Sequence, residues 1–295
     1  MYSIIGANGY LGSYVQKIIL ENTGEDLLCV DLNIEENSER VKWYRCDITD
    51  PAAVDELLRV LSGYEDLKIV YLAAYHNPDL VEKNRELAWK VNVTSLRYFI
   101  EHCPFAKDIY YVSTDSVYGE SIDMYHFKEG DPLNPVNFYG ENKVAAERIM
   151  LENGRHVVRF PFLISPSLAK KPHFYDQIVN ALRNGEEFEM YADSYRSSLS
   201  FENVARLLIA LIEHGNTEPI VNVCGDQDLS KYDVGKLIAL REGLDPELIV
   251  PITMEKKMAG FETKRATSTL MDNRLLKQIL DLEFVDIFEK PRYRK

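Results

Sequence analysis

Two groups of residues in this 295-residue chain carry functional side-chain types at spacings that chemistry uses. The first is Gly6-Ala7-Asn8-Gly9-Tyr10-Leu11-Gly12, a G-x-x-G-x-x-G turn between a short apolar run and a helical pattern. Glycines there permit a tight turn and let backbone N–H groups approach a pyrophosphate at the positive end of a helix. Asp31 closes the next apolar run nineteen residues after Gly12, near the spacing at which a carboxylate accepts from a ribose 2′-hydroxyl. Leu32 and Asn33 follow, with no arginine to receive a 2′-phosphate, so NAD(H) is expected in preference to NADP(H).

The second group holds Tyr139 and Lys143, four residues apart and hence on one helix face. A phenol that moves protons near neutral pH needs its pKa lowered from ~10, and a neighbouring cation contributes to that. The same spacing recurs at Tyr64/Lys68 and Tyr232/Lys236, which read as incidental surface pairs. What distinguishes Tyr139 is the hydroxyl-rich segment Ser113-Thr114-Asp115-Ser116-Val117-Tyr118-Gly119 upstream. A Thr114 hydroxyl at a strand end can hydrogen-bond a substrate oxygen while Tyr139 transfers the proton.

These groups need a scaffold, and the pattern supplies one. Short apolar runs at Tyr2–Ile5, Leu27–Asp31, Val41–Cys46, Leu67–Ala74, Asp108–Ser113 and His156–Phe162 alternate with helical patterns at Tyr10–Asn22, Ala52–Leu61, Ala88–Glu101 and Tyr139–Leu151. That alternation predicts an α/β fold with a doubly wound, Rossmann-type parallel sheet. Asp47 and Ile48 follow the third run, where a carboxylate can accept from an adenine amino group. Leu72, Ala73 and Ala74 end the fourth, where small side chains let a ligand lie against backbone.

Beyond Phe162 the pattern loosens. Ser165–Pro172 reads as a crossover, followed by helices near Tyr175–Arg183, Glu202–Glu213, Tyr232–Arg241 and Met271–Leu280 and a strand at Ile220–Cys224. The expected division is a cofactor-binding domain over 1–162, with about 199–225 returning to it, and a smaller α+β substrate-binding domain from 163–198 and 226–295.

Composition bounds the function. Lys and Arg total 34 against 47 Asp and Glu, a formal net charge of −13, which argues against nucleic acid as the main partner. No apolar run is long enough to span a membrane and the N-terminus has no secretory pattern, so a cytoplasmic protein is expected. Cys29, Cys46, Cys103 and Cys224 lie far apart with no C-x-x-C pair, so neither a metal site nor a disulfide framework is suggested.

Taken in order, Gly6–Gly12, Asp31, Cys46–Ile48, Leu72–Ala74, Asn92, Ser113–Gly119, Pro135–Lys143 with Glu147, and Arg159–Pro161 resemble the extended short-chain dehydrogenase/reductases, the NAD-dependent epimerase/dehydratase family. The resemblance implies Thr114, Tyr139 and Lys143 as the catalytic hydroxyl, acid/base and pKa-lowering cation, with Lys143 also holding the nicotinamide ribose. It implies Asn92 and Ser113 as cofactor-side supports, with Phe160 and Pro161 flanking the nicotinamide. Chain length and the segments Tyr75–Leu87 and Phe127–Pro135 resemble the dTDP-4-dehydrorhamnose reductase branch. Tyr10 stands where that branch has glutamine, and Arg196 looks more like the epimerases.

Ser116 occupies the position of the dehydratases' glutamate, so no dehydratase activity is expected. The implied activity is hydride transfer at a sugar carbon of a nucleotide-linked sugar, most simply reduction of a 4-keto-sugar. A 4-epimerase with tightly held NAD, or a non-catalytic NAD(P)-sensing regulatory subunit, is the alternative. Arg196 and Arg265 are the candidates for a substrate diphosphate, since a guanidinium fork suits phosphate oxygens. His76, Asp115, Ser116 and Asn137 are the polar candidates nearest the sugar. The resemblance also implies a homodimer, with helices near Ala88–Glu101 and Tyr139–Glu152 as its four-helix seam.

Overall fold

The computed structural model describes residues 1–257, 260 and 262–294. Its elements are β1 (Tyr2–Ile5), α1 (Tyr10–Asn22), β2 (Leu27–Asp31), β3 (Val41–Arg45), α2 (Pro51–Leu61), β4 (Lys68–Tyr71), α3 (Pro78–Lys83), α4 (Arg85–Trp89), α5 (Ser95–Glu101), β5 (Asp108–Thr114), β6 (His126–Phe127), α6 (Phe138–Glu152) and β7 (His156–Phe160). Then come α7 (Phe174–Arg183), β8 (Phe188–Tyr191), β9 (Tyr195–Arg196), α8 (Phe201–His214), β10 (Ile220–Asn222), β11 (Leu229–Ser230), α9 (Lys231–Arg241), β12 (Ile249–Ile252), α10 (Met254–Lys257), β13 (Leu270–Met271), α11 (Arg274–Ile279), β14 (Leu282–Phe284) and β15 (Arg292–Tyr293).

Seven strands form one sheet in the order β10-β7-β5-β4-β1-β2-β3, all parallel. This is the expected Rossmann-type α/β fold. The strand order reverses between β1 and β4, and the crevice at their carboxyl ends is where such sheets take ligands.

Strand residues alternate between two apolar layers because neighbouring side chains point to opposite faces. Ile4 and Val158 pack with Val15, Ile18 and Ile19 of α1 and Leu207, Leu208 and Leu211 of α8. Ile5, Ile69 and Val157 pack on the other face with Leu57 and Leu61 of α2, Phe99 of α5 and Ile149 of α6. Each such fully buried aliphatic contributes about 1.5–3 kcal/mol. A separate core joins Ile164, Tyr175, Ile178, Met190, Val234, Ile238 and Ile249, contributed by α7, β8, α9, β12 and the chain leaving the sheet.

Several expected elements differ. The fourth and sixth runs stop at Tyr71 and Phe160, because the chain splays from the sheet there: the N–H groups of Leu72 and Ala73 both donate to Ile5 O, at 2.8 and 2.9 Å. The Ala88–Glu101 helix is interrupted by a π-helical turn over Lys90–Thr94, where Ser95 Oγ donates to Lys90 O. The helix expected over Met271–Leu280 begins only at Arg274, since Leu270 and Met271 pair with His126 and Phe127 in β13–β6. The parallel β8–β12 pair was not expected. Tyr232 and Lys236 meet on α9, the ammonium 5.3 Å from the ring centre, and Lys236 also pairs with Glu247.

Among the described residues no helix is long and apolar enough to cross a membrane, and no group of three or more His, Cys, Asp or Glu could hold a metal ion. The four cysteines are buried and unpaired.

Candidate active site

At the carboxyl edge of the sheet a cleft of about 990 Å³ brings both residue groups together. Register does most of this work. Ile5 pairs with Val30 and with Tyr71, so Gly6, Asp31 and Leu72 emerge side by side. Thr114 is paired with Phe160, so the hydroxyl and the aromatic ring leave adjacent strands together.

The glycine turn is held from both sides. Gly6 has φ +90, and a Cβ on it would meet the backbone of Ala73 at 2.7 Å. Gly12 is needed for α1 to approach Ala7, whose carbonyl a Cβ would meet at 2.3 Å. Gly9 differs: a Cβ there meets nothing closer than 3.5 Å, so its open side faces the cleft. It heads α1 with no side-chain cap and no acidic residue in the first turn, leaving N–H donors and the helix dipole for an anion.

Asp31 accepts the Asn8 N–H at 3.0 Å through Oδ2 and the Asn33 N–H at 3.2 Å through Oδ1. Each oxygen keeps a lone pair for a ribose hydroxyl. Asp47 accepts from Thr49 N and Oγ1 through one oxygen, at 2.8 Å. Ile48, Leu72, Ala73, Ala74, Ser113, Phe160 and Pro161 complete this wall. The residues fit a dinucleotide: an uncapped helix end for the pyrophosphate, a carboxylate for the ribose and small side chains beside the sheet.

Tyr10 does something the sequence did not suggest. Its hydroxyl donates to Pro172 O at 2.8 Å and its ring meets His173 edge-on, so the turn is tied to the crossover segment. Tyr14 donates likewise to Pro166 O. The crossover also brings Lys170 and Lys171 into the cleft; Lys170 pairs with Glu35 at 3.0 Å, and Lys171 lies 5.0 Å from the Tyr10 ring centre.

Thr114, Tyr139 and Lys143 line the same cleft. Gly140 lets α6 come this close: a Cβ would meet Pro135 at 2.6 Å and the Ser116 carbonyl at 2.8 Å. Asn137 caps α6, accepting the Gly140 N–H at 3.0 Å and donating to Lys264 O at 3.0 Å. Lys143 donates to Val112 O at 2.8 Å and lies 6.0 Å from the Tyr139 ring centre.

The electrostatics depart from expectation. Tyr139 is not lowered: desolvation first, then the Asp115 carboxylate, hold its pKa well above the usual phenol value. Lys143 cannot offset this fully, because burial draws its own pKa down to about 7, with Glu147 acting the other way. The phenol is therefore a proton donor at neutral pH.

Asn92 is the other correction, since it is not among the cleft-lining residues. From the π-helical turn its amide accepts the Tyr75 N–H at 2.7 Å, donates to Tyr75 O at 3.0 Å and reaches Asn142. It braces the wall behind the cleft. Ser113 lines the cleft, but its hydroxyl donates to Glu147, which also holds Arg159 through both carboxylate oxygens, at 2.9 and 2.6 Å.

On the substrate side His76, Asp115, Ser116, Asn137, Arg196 and Arg265 all line the cleft. Asp115 accepts from Thr114 Oγ1 at 2.9 Å and from Thr269. Arg196 is heavily engaged within the protein: it donates to the carbonyls of Tyr195, Ala266 and Thr267 and pairs with Asp115 at 3.4 Å. Arg265 pairs with Asp79 at 2.6 Å. Sequence reasoning missed Thr269 and Lys231, both cleft-lining; neither stands in a spacing pattern that would have found it.

A parallel sheet with a glycine turn at its switch point and a Thr–Tyr–Lys set over one cleft defines an extended short-chain dehydrogenase/reductase. Within that class the chain belongs to the RmlD substrate binding domain family, whose family model matches residues 2–287. The β subunit of methionine adenosyltransferase 2 from Danio rerio is 26% identical over 266 residues, covering 88% of this chain and 79% of that one. The dTDP-4-dehydrorhamnose reductase of Mycobacterium tuberculosis H37Rv is 24% identical over 257 residues, covering 85% and 78%. Among solved structures, the dTDP-4-dehydrorhamnose reductase of Bacillus anthracis in complex with NADP superposes with a TM-score of 0.78 at 22% identity, covering 97% and 94%.

Proposed function

We propose that the chain is a nicotinamide-dependent reductase of a keto-sugar carried on a nucleotide. The observation that carries this reading is that Thr114, Tyr139 and Lys143 share one cleft with the glycine turn, with Tyr139 held protonated. Its membership of the RmlD family and its likeness to dTDP-4-dehydrorhamnose reductases support it.

A bound dihydronicotinamide would supply the hydride. Gly6–Gly12 would bind the pyrophosphate and Asp31 the adenosine ribose. Thr114 would orient the keto oxygen, Tyr139 would donate the phenolic proton to it, and a protonated Lys143 on the same helix face would stabilise the phenolate left behind. Ser116 offers no carboxylate base, so elimination of water from the sugar is not expected.

We further propose NAD(H) as the preferred cofactor. A carboxylate at the ribose repels a 2′-phosphate, and the nearby Lys170 is already paired with Glu35. Asp31→Ala should narrow or invert the preference between the two cofactors.

The test is oxidation of NADH in the presence of dTDP-4-dehydrorhamnose and other nucleotide-linked keto-sugars. Turnover supports the reading; its absence across the series overturns it. Nucleotide released on denaturing the fresh protein separates the alternatives: near-stoichiometric NAD favours an epimerase, whereas an empty protein that binds NADH without any turnover favours a cofactor-sensing subunit. That last alternative draws on the likeness to the methionine adenosyltransferase β subunit.

A further inference from the structure

Six Lys and Arg side chains among the described residues line the cleft, and they differ in what satisfies them. Lys143 donates to Val112 O, Lys170 pairs with Glu35, Arg196 is held by three carbonyls and Asp115, and Arg265 pairs with Asp79. Lys171 is exposed to solvent and needs no partner. Lys231 is the exception.

The residue as a whole is partly exposed, but its ammonium is desolvated and makes no hydrogen bond or ion pair among the described residues. It lies 5.1 Å from the ring centre of Phe162 and 5.7 Å from that of Tyr191. Its position is fixed from the backbone. Lys231 is the first residue of α9, and its N–H donates to Ser194 O at 3.1 Å. The preceding Ser230 is register partner to Tyr195 and forms a capping box with Asp233.

Desolvation draws the Lys231 pKa down to about 7; Arg196 and Arg265 act in the same direction and Asp115 opposes. A desolvated cation among other cations is costly unless something pairs with it. With Arg196 and Arg265 already bound to carboxylates, Lys231 is the basic side chain at this end of the cleft without a carboxylate partner among the described residues.

We propose that Lys231 anchors an anionic oxygen of the substrate, phosphoryl or carboxylate, in the aromatic slot between Phe162 and Tyr191. The proposal deepens the nucleotide-sugar reading and rests on it. It moves the expected anion contact from Arg196, whose donors are taken up within the protein, to a residue that sequence spacing does not single out.

The test is calorimetric titration of the full chain, saturated with NAD⁺, with UDP, dTDP, UDP-glucose and UDP-glucuronate, and with uridine and thymidine as uncharged controls. A charge-assisted hydrogen bond of this kind makes Lys231→Gln weaken binding by about 10- to 100-fold, leaving any nucleoside binding unchanged. Equal weakening for UDP, UDP-glucose and UDP-glucuronate assigns the anion to the phosphoryl groups. Weakening confined to UDP-glucuronate assigns it to a sugar carboxylate.

Unchanged affinities in Lys231→Gln, or no binding of any charged probe to the wild-type protein, overturn the proposal. Lys231→Met repeats the measurement in a side chain suited to the slot, and retained NAD⁺ binding shows that either variant is folded. Lys231-dependent UDP or dTDP binding without turnover of any keto-sugar would defeat the reductase reading while leaving this site standing.

Discussion

The Lys143 ammonium donates to the carbonyl oxygen of Val112 at 2.8 Å. That carbonyl lies in β5 two residues before Thr114, so one strand positions both the cation and the hydroxyl. Lys143→Met is expected to lower turnover by roughly 10²–10⁴-fold, and among the described residues it breaks no ion pair. Single-turnover rates measured beside thermal melts check this. A variant that melts like wild type and reacts at near wild-type rate would remove Lys143 from the machinery.

Tyr139 holds its proton through neutral pH, raised by desolvation and by Asp115. Tyr139→Phe removes the donated proton and little else, because the ring remains. Turnover should fall by roughly 10²–10⁴-fold, while NADH affinity from a fluorescence titration stays close to wild type. Full activity in this variant would contradict the assignment.

Stability should vary with pH through Lys231, whose pKa falls from 10.5 to about 7 on folding. Between those values the unfolded chain binds more protons, so this group's contribution to stability rises with pH and is lost as pH falls towards 7. The charged groups that face it are Arg196 and Arg265, which lower its pKa, and Asp115, which raises it. Lys231→Met should therefore melt higher than wild type near pH 7, with the gap closing by about pH 10. A gap that is constant with pH would contradict the assigned titration.

Arg159 and Glu147 form a bidentate pair, both side chains 2% exposed, and Arg159 also donates to the Tyr118 hydroxyl at 2.6 Å. Breaking a buried pair by removing one partner strands the other charge, at about 3–5 kcal/mol. Arg159→Met should lose stability of that order in urea denaturation. It should also slow turnover, because Glu147 holds Ser113 beside Thr114. A loss well under 1 kcal/mol would show that the pair contributes little.

The centre of the sheet was legible because β1, β2 and β4 are buried on both faces and read as near-continuous apolar runs, whereas the edge strand β3 is partly exposed. The glycine turn, Asp31, Thr114, Tyr139 and Lys143 were legible because strand ends and helix starts place them at fixed offsets. What was hidden depends on contacts distant in sequence. Arg196 is held by carbonyls some 70 residues further on, at Ala266 and Thr267. Lys231 enters the cleft through the two-residue β9–β11 pairing, too short to have a period. The Met271–Leu280 pattern was overridden by pairing with β6, a tertiary contact that local periodicity does not report.

The ties from Tyr10 and Tyr14 to Pro172 and Pro166 make the crossover part of the nucleotide turn, although more than 150 residues separate their partners. This irregular stretch between the two cores is thus among the least tolerant of change in length. A residue inserted into 166–172 would shift Lys170 and Lys171 along the cleft and draw on α1 through both tyrosines. Loop variation among relatives should accordingly avoid this span and gather where the chain meets only solvent.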